Sequence, residues 1–149
     1  MNGEGKLDKQ EATRPVAGWY MLAAAAALLF MLLGCLGLVA HVTTDPAALP
    51  LDQRGLFEAE PKWVLAASAV GFVAGAYGAL LLILRRGAAE RVTLIALVAM
   101  LVWLAGMFLT PRFRDLLSTG ESAVLLAIVA VTWTIFWFAR HSAQRGWLR

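Results

Sequence analysis

The stretch Trp63–Leu84, WVLAASAVGFVAGAYGALLLIL, runs for 22 residues without a charged side chain or a histidine. Crossing the hydrocarbon core of a bilayer takes about 20 predominantly apolar residues in a helix, so this segment reads as a membrane span. Three more charge-free stretches have the same character: Pro15–Ala40, Val92–Pro111 and Ser122–Ala139, of 26, 20 and 18 residues. Together they account for a chain of 149 residues that is 60% hydrophobic and only 15% charged, with a mean hydropathy of +0.71. A soluble domain is nearer half apolar and a quarter charged. A soluble enzyme, a nucleic-acid-binding domain and a disordered regulator are excluded. The expected fold is all-α, a single four-helix transmembrane bundle with spans near 16–40, 63–84, 92–109 and 123–139.

The residues between the spans orient the chain. Lys6, Lys9 and Arg14 precede the first span, Arg85, Arg86 and Arg91 lie between the second and third, and Arg140, Arg145 and Arg149 follow the fourth. Those nine face one side, against four on the other: Arg54, Lys62, Arg112 and Arg114. Basic residues concentrate on the cytoplasmic side of membrane proteins, so both termini are expected in the cytoplasm and the 41–62 loop outside. The net charge of +3 then reflects contact with anionic lipid, not with nucleic acid. Trp19, Tyr20, Trp63, Trp133 and Trp137 fall near span ends, where amphipathic rings collect.

Residues 1–14, polar and mixed in charge, read as a flexible tail. Leu32-Leu33-Gly34-Cys35 has the look of a lipoprotein cleavage box, but apolar residues continue through Ala40. The stretch is also long for a signal-peptide core, so Cys35 is expected to stay unlipidated in an intact span. As the sole cysteine it forms no intrachain disulfide. In the outer loop, Thr44 or Asp45 is placed to cap a helix whose first residue is Pro46, with Pro50 and Gly55 breaking regularity. Leu49, Leu51, Leu56 and Phe57 oppose Asp52, Arg54, Glu58 and Glu60, the pattern of a short amphipathic helix lying on the outer membrane surface with its acids in water.

Within the second span, Ala67, Gly71, Gly75 and Ala79 recur every four residues beside Gly78, and Gly71–Gly75 is a GxxxG. Small residues let helix backbones approach in lipid, so this stripe is a candidate packing face, for a second copy of the chain or a larger membrane complex. Tyr77 and Trp103 are the candidate cavity-lining residues. None of the ten acids or thirteen Lys and Arg residues falls inside the charge-free spans, and buried ionisable groups are what pumps and membrane enzymes need. His41 and His141 lie at opposite membrane faces, each expected to be solvated or interfacial, which speaks against a shared haem or metal. The outer loop lacks the ligand spacing of a calcium loop. No catalytic residue, metal ligand or cofactor is expected.

Leu49-Pro50, Gln53-Arg54, Phe57-Glu58-Ala59, Pro61-Lys62-Trp63-Val64, the Gly71, Gly75, Gly78 run, Leu80-Leu81-Leu82 with Arg85-Arg86, and the closing Trp137-Phe138-Ala139-Arg140 and Gly146-Trp147-Leu148 form a further pattern. In these features the chain resembles a widespread family of small four-span bacterial inner-membrane proteins, some loosely labelled sugar transporters. The resemblance implies a multi-pass fold and an inner-membrane location and transfers no binding residue. Two functions fit: a structural or self-associating membrane component without catalytic machinery, or an oligomeric facilitator for a small neutral, sugar-like solute.

Overall fold

The computed structural model describes residues 16–149, apart from the Asp52 side chain; the 1–14 tail of the sequence reading lies outside them. Helices account for nearly all of it: α1 (Tyr20–Thr43), α2 (Leu51–Ala59), α3 (Lys62–Ile83), α4 (Ala89–Leu109), α5 (Pro111–Arg114) and α6 (Thr119–Gln144). Four of these, α1, α3, α4 and α6, are long and apolar enough to cross a membrane, and no strand forms among the described residues. Each span outgrows its expected limits at one end or both, because polar end residues such as His41 to Thr43, Lys62 and Arg140 to Gln144 continue the helical hydrogen bonding.

The spans run up and down, with α1 packed on α3, α3 on α4 and α4 on α6. Burial follows that order. α3 and α4 are the most enclosed, while α1 leaves Leu22, Leu29, Leu33 and Leu36 on its outer side. Lipid tails are as apolar as leucine, so close backbone approach supplies the holding force between spans. On α3 that approach occurs at glycine. A Cβ on Gly71 would lie 2.9 Å from Met100 Cε of α4, one on Gly75 2.5 Å from Met31 Sδ of α1, and one on Gly78 2.6 Å from Thr93 Cγ2 of α4. Ala79 is fully buried and Ala67 partly so. The helices in the groove are therefore the chain's own α1 and α4. A second chain finds Gly71, Gly75 and Gly78 already covered. Gly106 of α4 plays the same part toward Trp63 and Val64, with 2.6 Å to each.

The buried serine and threonine hydroxyls among the described residues are all satisfied within their own helices. Ser68 donates to the Leu65 carbonyl, Thr93 to Ala89, Thr132 to Ile128 and Ser142 to Phe138. Such back-bonding within a helix lets a hydroxyl sit in lipid without an interhelical partner. α6 opens on a capping box, in which Ser118 Oγ accepts from the Glu121 amide and Glu121 Oε2 accepts from the Ser118 amide.

The two ends of the bundle differ. At the end that carries residues 16–19 and 145–149, the expected basic tail is not free. Gly146, at φ +70°, reverses the chain, and Trp147 enters the bundle to 6% exposure beside Tyr20 and His141. Two backbone bonds fasten it to the α3–α4 connection, Arg149 N–H to the Arg85 carbonyl (2.7 Å) and Gly87 N–H to the Arg149 carbonyl (2.6 Å). Arg85, itself at φ 55°, adds its Nε to the Trp147 carbonyl, and the Tyr20 hydroxyl donates to Leu82 O at 2.8 Å. A left-handed backbone is unusual for a residue with a Cβ, so the fixed partners around Arg85 must outweigh that strain.

Two measurements check these contacts. Replacing Gly75 or Gly78 with Leu is expected to lower thermal stability in detergent by the equivalent of at least about 2 kcal/mol, the upper range for overpacking, while Gly18→Ala, with open space around it, changes nothing. Trp147→Ala is expected to cost about 3–5 kcal/mol, the range for emptying a buried aromatic site, read as a lower melting temperature and faster proteolysis after residue 140.

Candidate functional site

At the opposite end, where α2 lies, the bundle does not close. α1 and α6 meet near Tyr20 and Phe138, whose ring centroids are 5.2 Å apart, but pack little elsewhere. Between them opens a cavity of about 560 Å³. Leu38 of α1, Leu65 and Phe72 of α3, Trp103 and Met107 of α4, and Leu125 and Ile128 of α6 form its apolar wall. The volume falls within the roughly 300–1,000 Å³ typical of ligand pockets, which are likewise mostly apolar with a few placed polar groups.

The first connecting loop roofs it. Asp45 caps a 3₁₀ turn at Pro46–Ala48 by accepting from the Ala47 amide at 2.9 Å, and Pro50 then leads into α2. Contrary to the sequence reading, Gly55 does not interrupt this helix. A Cβ there would stand 3.7 Å from Leu116, an ordinary contact, and Arg54 with Glu58 adds a 2.8 Å pair one turn apart on the wet face. Leu49, Leu56 and Phe57, the apolar side of the loop, turn onto the cavity. The amphipathic helix therefore covers the protein's own opening, and Leu51 is left 88% exposed.

The roof holds the only ionisable pair that joins two of these elements among the described residues. His41, in the last turn of α1, donates from Nε2 to Glu60 Oε2 at 2.8 Å, and its ring stacks on Phe57 at 4.3 Å. The Glu60 side chain is only 8% exposed, so it is not the solvated acid that loop composition suggests. Nor is His41 merely interfacial, since it ties α1 to the end of α2. Burial pushes the Glu60 carboxyl above its usual range, and His41 draws it part of the way back. Relative to the unfolded chain, the stability this carboxyl contributes is therefore full below the ordinary carboxylate value and is lost as pH rises from there to the raised one.

Trp103 and Tyr77 part company. Trp103 is 6% exposed and lines the cavity, where its ring tilts against Phe72. Tyr77 is 55% exposed on the outer side of α3 and lines no cavity described here, because Gly75 and Gly78 turn the other side of the helix inward. A second, smaller hollow of about 340 Å³ lies along α6 between Trp133, Trp137, Arg140 and His141, the last stacked on Trp137 at 5.2 Å. No group of three His, Cys, Asp or Glu side chains converges as a metal site among the described residues.

The sequence reading missed His41 with Glu60, which lie 19 positions apart and meet only because α2 folds back over α1. The clue was available: an acid directly before Pro61 is held at the start of a span, next to the end of its neighbour.

Fold and cavity together define a small polytopic membrane protein. No family model matches the chain, and no curated protein or solved structure is similar to it.

His41→Ala is expected to lower the melting temperature at pH 8 by the equivalent of about 1–3 kcal/mol, the cost of stranding a buried polar partner. The gap between variant and wild type should narrow as pH falls through the carboxylate range, where Glu60 takes up a proton. A gap independent of pH would show that the pair does not set the roof's stability.

Proposed function

We propose that the chain is a small non-catalytic component of the bacterial inner membrane, with both termini cytoplasmic, that takes a lipophilic ligand from the bilayer into the cleft between α1 and α6. The observation that carries this reading is the cavity itself. It is walled by apolar side chains, opens between two spans that scarcely touch, and is closed at its far end by Tyr20, Phe138 and Trp147. Orientation is supported by charge: Arg85, Arg86, Arg91, Arg140, Arg145 and Arg149 gather at the end with the termini, against Arg54, Lys62, Arg112 and Arg114 at the other. A role without catalysis is supported by the buried serine and threonine hydroxyls of the spans, each spent on a carbonyl of its own helix. Any homo-oligomer or larger complex docks on the exposed outer faces, such as Leu29, Leu33 and Leu36 of α1, since the Gly71–Gly75 groove is filled from within. The family resemblance agrees with this placement in the membrane.

A facilitator for a neutral solute is the second reading, favoured by a cavity packed shut by aromatic rings at one end of the bundle and covered only by α2 and the His41–Glu60 pair at the other, as one access state would be. Such a transporter would need an oligomer to complete a path.

The test is a photo-crosslinking residue at Leu38, on the cavity wall, compared with one at the lipid-facing Leu33. Leu38 is expected to give a discrete lipid-mass adduct that disappears when Gly37→Trp fills the cleft, a position with no atom within 4 Å of a Cβ. An adduct pattern identical at the two positions, or unaffected by Gly37→Trp, overturns the reading. Uptake of labelled sugars into proteoliposomes above empty vesicles would establish the facilitator in its place.

A further inference from the structure

The mouth of the cavity carries a polar atom that the fold leaves unused. Glu60 Oε2 is occupied by His41, but Glu60 Oε1 accepts no hydrogen bond from any described residue, although the side chain is 8% exposed. It is not sealed in protein either, for no fully buried side-chain oxygen or nitrogen lacks a partner among the described residues. Glu60 lines the cavity, so this second oxygen has accessible surface at its roof. Around it, Thr44 and Gln53 are uncharged, and Glu121 is a second carboxylate in the lining. His41 is the single cation-forming side chain there, and it is committed to Glu60. Below the roof the wall is apolar as far as Phe72, Trp103 and Ile128.

From this we infer that the ligand is an amphiphile with an ammonium head, its hydrocarbon between α1 and α6 and its N–H donors on Glu60 Oε1. The inference rests on the cleft being a site for a lipophilic ligand and adds its chemistry. A negative head would meet the Glu60 carboxylate with its imidazole already engaged. An ammonium head supplies the donor that Oε1 lacks, and a hydrogen bond between charged groups is about twice as strong as one between neutral groups. The alkyl chain leaves water for a wall that offers it no competing polar group, apart from the Ser68 hydroxyl, which is already bonded within α3.

Trp103 reports on occupancy. Protein in nonionic detergent is titrated with a long-chain alkylamine brominated in its chain, and with the chain-matched alcohol and carboxylic acid. Quenching assigned to Trp103 is the difference between wild type and Trp103→Phe. The amine is expected to quench saturably with an affinity at least about tenfold above the acid, equivalent to one charge-assisted hydrogen bond. Glu60→Gln should bring the amine down to the level of the alcohol while leaving the alcohol unchanged, and Gly37→Trp should abolish saturation by all three. Equal binding of acid and amine, or an amine preference that survives Glu60→Gln, overturns the inference. The same result follows if no probe saturates while the Leu38 adduct still forms, in which case the cleft keeps its role and only this ligand chemistry fails. Two sources could supply the ammonium group. Displacement of the bound probe by phosphatidylethanolamine in nanodiscs assigns it to a lipid headgroup. Displacement only by an unbrominated alkylamine assigns it to a free amine, and displacement by neither overturns the proposal.

Discussion

The side chains of Met31, Thr93 and Met100 occupy space that Cβ atoms on α3 would need. Without a hydrophobic force to press helices together in lipid, the closeness of that fit holds the bundle. Because the glycines on α3 admit α1 and α4 from two sides, α3 becomes the shared partner of both, and α4 in turn carries α6. The chain of contacts α1–α3–α4–α6 then has two ends, and they are not drawn together along their length. The opening between α1 and α6 follows from spending the small residues on α3.

What closes that opening differs at the two ends of the bundle. At one end aromatic rings and the reversed Trp147 segment fill it, fastened by backbone bonds to the turn after α3. At the other, only α2 and the His41–Glu60 pair lie across it. A hydrogen-bonded acid with one free oxygen makes a weaker closure than a packed indole. It is also chemically more selective. The bundle is closely packed at the end that carries residues 16–19 and 145–149 and more open where α2 lies across it.

Much of this was legible in the sequence. Charge-free stretches of 18 to 26 residues, about what a helix needs to cross a bilayer, identify spans by solvation alone, without tertiary context, and a four-residue recurrence of glycine and alanine identifies a close-packing face. Which helix fills that face is a different matter. Met31 and Met100 are unremarkable apolar residues in sequence, and only the three-dimensional fit reveals them as the occupants. Tyr77 looked like a cavity residue because a hydroxyl in an apolar run attracts notice, yet its place in the helix puts it opposite the glycines. Trp103 lies across from Phe72 and so lines the space. Glu60 defeated a reading by composition, since loops are presumed wet and this acid is covered by its own loop. Gly55 defeated a reading by propensity, since its cost of about 1 kcal/mol in a helix is small beside tertiary contacts.

The α3–α4 pair is joined by only five residues, 84–88, and contains close seams of its own at Gly71, Gly78 and Gly106, whereas α1 is separated from its partner α3 by a folded loop. The α1–α3 seam therefore closes a longer loop, residues 44–61, than the α3–α4 seam does, and the entropy lost in bringing its ends together is correspondingly larger. One side of α1 meets that cost by seating Met31 over Gly75, while its opposite side keeps Leu22, Leu29, Leu33 and Leu36 exposed.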